Sequence, residues 1–290
     1  MNLACPHKPG PLLDKSKGHW PRGQVIFHSF PGEPVRECFV YVPRGADASS
    51  PVVTLIHGIT RNAAEHVFRF RAKSDRTGAI LIAPLFVREA FGQYQQVMDK
   101  PTRPRADEAL FDMLDAVATD TGVSVERFYM FGFSGGAQFA HRFMMMHPER
   151  ITSIAIAAAG WYTFPTTDLP YPLGIGSCPI PEHSFDPDRF LAVPRHVLVG
   201  ARDVGRDEAF RTSRKLDQLQ GDNRLARARN WFAAMERETH QRGIRAAPSS
   251  LTVLDGISHS FTDAAEHGAL AETVFEKFNL SSIKLTETNQ

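Results

Sequence analysis

Short runs of mostly apolar, often β-branched residues, separated by stretches of helical period, set the tightest limit on how this chain can fold. Val52-Val53-Thr54-Leu55-Ile56 and Ala79-Ile80-Leu81-Ile82-Ala83 are two such runs. Phe128–Phe131, Ile151–Ala158, His196–Val199 and Leu251–Leu254 continue the series. Continuous runs of this length suit parallel strands covered on both faces, which cannot show the alternation of a half-exposed strand. Between them lie helical patterns. Residues 105–118 carry Leu110, Met113, Leu114 and Val117 at helical spacing, and residues 135–147 are apolar on most sides. Residues 224–241 place Leu225, Ala228, Phe232 and Met235 on one stripe, with Arg224, Arg227 and Arg229 read as an opposite, solvated face. Residues 262–279 close the pattern with Ala265, Leu270 and Phe275. Strand alternating with helix predicts an α/β protein with a doubly wound, mostly parallel sheet, helices on both faces and right-handed crossovers.

Ahead of this pattern, Val25–Phe30 and Cys38–Val42 read as two further strands. In the second, Phe39 and Tyr41 face one way and Cys38, Val40 and Val42 the other. Residues 1–24, rich in Pro, Gly and Lys, read as an arm over the surface, and 281–290 as a polar tail. That leaves residues 25–280 as a single domain. One stretch, 160–194, breaks the alternation: it is Pro-rich and aromatic without a period. Loops of that length in a compact domain are uncommon and usually functional. Its aromatics (Trp161, Tyr162, Phe164, Tyr171, Phe185, Phe190) predict an ordered cover.

Composition excludes several classes. A net charge of +1 gives no reason to expect a nucleic-acid or anionic-membrane partner. The longest apolar run, Ile154–Ala159, is strand-length and far too short to span a bilayer. The N-terminus lacks the basic start and apolar stretch of a secretory signal. Cys5, Cys38 and Cys178 are odd in number and widely spaced, which argues against a disulfide framework or cysteine-built zinc site and for a reducing, cytoplasmic compartment. No histidine pair four apart flanks a glutamate, so no metal is expected. Glu108, Asp112 and Asp115 share a helix face as ordinary surface patterning, and Met144-Met145-Met146 reads as core packing with one exposed member. Nothing in the sequence sets an oligomeric state.

Gly132-Phe133-Ser134-Gly135-Gly136 carries the chemistry. It joins a strand to a helix, and a serine at so sharp a turn needs small residues two positions away on each side. The helix behind it favours negative charge developing nearby. A serine hydroxyl needs a base, and His259, just past the last strand, is the candidate among the 12 histidines. The carboxylate to orient it is Asp203, after the strand ending at Gly200. The alternative, Asp207, reads as a helix-start residue. The order Ser134, Asp203, His259 is the one this architecture uses. An oxyanion hole would take one amide from Gly135 and one from the loop His57-Gly58-Ile59-Thr60, with Ile59 preferred and Thr60 in reserve. Trp161 and Tyr162 follow a strand end, where ligand crevices of open sheets lie. Substrate contact and simple packing of the cover would both place them there.

Together the serine elbow, the His57-Gly58 loop, Asp203 and His259 resemble the α/β-hydrolase superfamily. Within it the chain is similar to compact serine esterases of the dienelactone hydrolase and polyhydroxyalkanoate depolymerase type, over roughly residues 25–280. It departs from lipase-like members in lacking a run of glycines after His57. The resemblance implies an eight-stranded, mostly parallel sheet, no cofactor, and hydrolysis of an ester or similar acyl bond in a small-molecule substrate. The same three residues could serve an amidase or peptidase, a thioesterase, or a cofactor-free carbon–carbon hydrolase or lyase. A binding protein on this fold would have no need of all three.

Overall fold

The computed structural model describes residues 20–97, 104–178 and 184–280. In chain order the elements are β1 (Val25–Phe30), β2 (Arg36–Tyr41), β3 (Val52–Ile56), α1 (Ala63–Thr77), β4 (Ile80–Pro84), α2 (Ala106–Thr121), β5 (Phe128–Phe133) and α3 (Gly135–Met146). They continue with β6 (Ile151–Ala157), α4 (Pro187–Leu191), β7 (Arg195–Gly200), α5 (Arg214–Gln220), α6 (Arg224–Gln241), β8 (Ser249–Leu254), α7 (Phe261–Glu266) and α8 (Leu270–Lys277). The sheet has eight strands in the order β1-β2-β4-β3-β5-β6-β7-β8. β2 pairs antiparallel with both β1 and β4, and every other pairing is parallel.

The continuous apolar strands are continuous because both faces are buried. Alternate residues of each strand enter opposite core layers, as side chains of period two must. Val52 and Ile56 of β3, with Phe128 and Met130 of β5, pack beneath α2, α3 and α6 through Leu110, Met113, Phe139, Phe143, Trp231 and Met235. Val53 and Leu55, with Phe131 and Phe133, pack beneath α1, α7 and α8 through Val67, Phe70, Phe261, Val274 and Phe275. The same split runs through β2: Cys38 and Val40 enter the first layer, Tyr41 and Phe39 the second.

Several sequence expectations are corrected. Of the arm read over residues 1–24, the described part is built into the body: Trp20 is buried in the first layer, and the Gly23 amide donates to the Val42 carbonyl. Residues 1–19 and 281–290 lie outside the described residues. The expected helix over 262–279 is two helices, α7 and α8, broken by Gly268 and by Ala269 at φ 48°. Helix α1, not among the helical patterns above, buries polar His66, Ser74 and Thr77 on the same stripe as Val67 and Phe70. All three methionines 144–146 are buried. The largest correction concerns α6, where Arg229 is exposed but Arg224 and Arg227 are buried. Their counter-charges, Asp203, Asp207 and Asp217, come from other segments, so helical periodicity alone could not reveal them.

Candidate active site

The turn between β5 and α3 is built around backbone crowding. Ser134 adopts φ 53°, ψ −111°, a conformation costly for any residue with a Cβ, and its amide donates to the Ala157 carbonyl at 2.8 Å. A Cβ at Gly132 would lie 2.2 Å from the Gly136 carbonyl oxygen, and one at Gly136 would lie 2.0 Å from the Ile56 carbonyl oxygen. Only glycine fits at either position. The serine hydroxyl is thereby held at the carboxyl ends of the parallel strands, with the N-terminus of α3 directly behind it.

Ser134, His259 and Asp203, distant in sequence, form one hydrogen-bonded line. Ser134 Oγ lies 3.0 Å from His259 Nε2, and His259 Nδ1 lies 2.9 Å from Asp203 Oδ2. A carboxylate can only accept, so Nδ1 carries the proton and Nε2 is left to accept from the serine hydroxyl. The Phe133 ring stacks beside the imidazole, centroids 5.5 Å apart. Asp203 is buried, and the loops that carry it and His259 are pressed together: a Cβ at Gly200 would meet the Ile257 carbonyl oxygen at 2.2 Å. The backbone carbonyl of Asp203 accepts from the Leu225 amide at the start of α6. Asp207 does not begin a helix. It lies in a turn closed by the Phe210 amide, and its carboxylate pairs with Arg224, which also approaches Asp203.

The His57–Thr60 loop is anchored from below. His57 Nδ1–H donates to the Gly58 carbonyl at 2.7 Å, and Nε2 accepts from the Phe86 amide at 3.0 Å. The Tyr94 hydroxyl donates to the His57 carbonyl at 2.6 Å. Burial lowers the His57 pKa from 6.5 to about 4, so the ring is neutral and its tautomer is set by these partners. Ile59 follows, and a Cβ on Gly135 would lie 3.3 Å from the Ile59 nitrogen and 2.8 Å from the Tyr94 hydroxyl. The Ile59 amide and the first residue of α3 therefore border the same small space beside Ser134. As that first helical residue, Gly135 has no intrahelical acceptor for its N–H. The Thr60 hydroxyl donates to Asn62 Oδ1 at 3.2 Å.

His57 also gives a stability expectation. A histidine whose folded value is depressed stabilises the protein above its unfolded value, and that stability is lost as pH falls toward the folded value. The window runs from about pH 6.5 down to about pH 4, and the contribution is about 3 kcal/mol. The urea midpoint should fall between pH 7 and pH 4; a constant midpoint would contradict the neutral, buried assignment.

Of the two cover aromatics, the structure separates one from the other. Tyr162 is fully buried, stacked on Trp231 at 4.9 Å, with its backbone clasped by the Gln220 side chain at 2.8 and 2.7 Å. It packs the cover onto α3 and α6. Trp161 keeps a small exposed area and lies 4.1 Å from the Arg142 guanidinium and 4.7 Å from that of Arg211. Arg142, wholly buried, ties α3 to the cover through Thr163 and to the preceding loop through the Gln95 carbonyl. Burial lowers its pKa from 12.5 to about 10, leaving it charged at neutral pH. Tyr94, Arg142 and Arg224 had no sequence signal, since each matters through partners brought from other segments.

No family model matches the chain, and no curated protein matches it. Solved structures do. Poly(aspartic acid) hydrolase-1 from Sphingomonas sp. KT-1 is 22% identical, with a TM-score of 0.75 over 90% of this chain and 99% of its own. The poly(3-hydroxybutyrate) depolymerase of Bordetella parapertussis is 24% identical, with a TM-score of 0.74 over 91% and 93%. A putative dienelactone hydrolase of Klebsiella pneumoniae subsp. pneumoniae MGH 78578 is 16% identical, with a TM-score of 0.52 over 88% and 97%. Shared over most of each chain, the eight-stranded sheet that carries Ser134 at the end of β5 is that of the α/β-hydrolases, and this chain has the α/β-hydrolase fold.

Proposed function

We propose that this protein is a serine hydrolase that cleaves a carboxylic ester or similar acyl bond of a small molecule through Ser134, His259 and Asp203. The observation that carries this reading is the unbroken line from Asp203 through His259 to a serine held in a strained turn. His259 Nε2 takes the serine proton as Oγ attacks the acyl carbon. The carbonyl oxygen gains negative charge beside the Ile59 and Gly135 amides. His259 then returns the proton to the leaving alcohol, and a water activated by the same nitrogen releases the acid from the acyl-enzyme. Asp203 holds the imidazole tautomer and stabilises its protonated form. The mechanism calls on no cofactor or metal, and a cytoplasmic site of action accords with the cysteine pattern.

Substrate preference follows from the cover. Tyr162, Phe190 and Leu191 are buried, and Arg142 anchors the cover at Thr163. The large exposed hydrophobics among the described residues include Ile59 and Val204 near the site, with Phe27, Val35, Phe68 and Val253 scattered elsewhere. Among the described residues no broad apolar face is available for an oil–water interface. Among the described residues no helix is long and apolar enough to cross a membrane. Soluble short or aromatic acyl esters should therefore be turned over faster than emulsified long-chain triglycerides. A panel of p-nitrophenyl esters of graded chain length, run beside the matching anilides, tests this. Anilide turnover equal to or above the esters would favour an amidase, and faster triglyceride cleavage would reverse the chain-length reading. The fold neighbours include enzymes named for poly(aspartic acid) and poly(3-hydroxybutyrate), so the oligomers of both belong in the panel.

A further inference from the structure

The imidazole-bound oxygen of Asp203 accounts for only half of its carboxylate. The other, Oδ1, lies 3.5 Å from Nη1 of Arg224, the first residue of α6. Arg224 and Asp203 are both buried, at 2% and 1% exposure. The same guanidinium meets Asp207, whose side chain is 46% exposed: Nη1 lies 2.8 Å from its Oδ2, and Nη2 3.0 Å from its Oδ1. The two contacts make a bidentate fork, the geometry that best fixes a guanidinium. Arg224 is thus oriented by Asp207 from the solvent side and shared with Asp203 on the buried side. The α6 start is itself fixed, since Asn223 caps it by accepting from the Ala226 amide.

We infer that Arg224 is a positioning residue that orients Asp203 and, balanced by Asp207, sets the pH at which His259 becomes an active base. This rests on the reading of Ser134, His259 and Asp203 given above. The physical basis is a sum of charges. Protonation of His259 is favoured by the negative charge of Asp203 and opposed by the positive charge of Arg224 one carboxylate further away. Asp207, on the far side of the guanidinium, offsets part of that opposition and also interacts with the His259 charge directly, and Arg224 in turn holds the Asp207 carboxyl below its ordinary range. Other charged or titratable groups facing this cluster are Arg227 of α6, paired with Asp217 of α5, and Arg206, paired with the same aspartate. Tyr162, in the loop after β6, feels the charge of Asp203. The Phe210 ring lies 4.9 Å from the Arg224 guanidinium and 4.0 Å from that of Arg227. None of these lies between Arg224 and Asp203 in the hydrogen-bonded line.

Opposite signs on two variants make the inference testable. With p-nitrophenyl acetate, whose charge does not titrate, the acid limb of kcat/KM should move up by about one pH unit in Arg224→Gln, because losing the cation favours the imidazolium. In Asp207→Asn it should move down by about half a unit, because the guanidinium is then balanced by Asp203 alone. Arg224→Lys keeps the charge without the fork, so its limb should stay near that of the wild type while kcat falls several-fold. A purely structural role would lower kcat or stability in all three and leave the limb in place. The inference is overturned if the limbs of Arg224→Gln and Asp207→Asn coincide with the wild type or move in the same direction. Should Arg224→Gln not fold, Arg224→Met, which keeps the packing without the charge, takes its place with the same expected sign, and an unmoved or raised limb in the half-exposed Asp207→Asn overturns the inference by itself. Fluorophosphonate labelling of the wild type at Ser134 separates the two levels: labelled enzyme with unmoved limbs defeats only this inference, and unlabelled enzyme defeats the reading beneath it.

Discussion

Replacing Ser134 with alanine is expected to lower kcat for a good ester substrate by about 10³-fold or more. The size follows from what is removed. Without Oγ no acyl-enzyme can form, and His259 can only assist direct attack by water. What survives is the contribution of the Ile59 and Gly135 amides and of substrate binding, which in triad enzymes amounts to a small part of the whole. The substitution should leave the fold intact, because alanine has a Cβ at the same position as serine and so leaves the backbone strain at φ 53° unchanged. Circular dichroism and the urea midpoint should match the wild type, which confines the loss to chemistry. A variant that retained more than a tenth of wild-type kcat would place the nucleophile elsewhere.

Asp203→Asn should be of comparable severity, about 10⁴-fold in kcat. The asparagine amide would present an N–H where His259 Nδ1–H now finds an acceptor at 2.9 Å, so the ring would turn to the tautomer whose Nε2–H cannot accept from Ser134. The buried Arg224 would also lose the negative charge of its inner partner. Asp207→Asn removes only the half-exposed outer partner and should cost less than tenfold at the pH plateau. Assaying both variants with one ester decides which aspartate faces the histidine. A collapse confined to Asp207→Asn would reverse the assignment.

How much of this was readable from the sequence depends on what kind of signal each part leaves. The central strands were legible because burial on both faces writes unbroken apolar runs, and their ends were displaced by only one or two residues. The elbow was legible because steric crowding at Gly132 and Gly136 admits a single residue type. Asp203 and His259 could be chosen because each follows a strand that ends at the same side of the sheet. Helix α1 was not picked out, although polar His66, Ser74 and Thr77 share its buried stripe with Val67 and Phe70 at helical spacing. The arginines of α6 were misread. Periodicity assigns a charge to solvent, and only the folded chain brings Asp203, Asp207 and Asp217 to Arg224 and Arg227. For Tyr162, placed after β6, the sequence leaves substrate contact and packing of the cover equally open, and in the structure its ring stacks on Trp231 between cover and helices. Tyr94 and Arg142 act through carbonyls of distant loops, a relation that leaves no local pattern.

The central claim is that Ser134 is an activated nucleophile, and covalent labelling tests it most directly. A fluorophosphonate reacts with a serine whose hydroxyl is deprotonated by a neighbouring base and whose phosphoryl oxygen can be received by the oxyanion amides. Intact-mass and peptide spectrometry of the wild type should show one adduct, on the peptide containing Ser134, that blocks ester hydrolysis in proportion to its occupancy. Ser134→Ala should carry none, and Asp203→Asn should label far more slowly. An adduct on another residue, or ester hydrolysis that persists at full labelling of Ser134, would contradict the account.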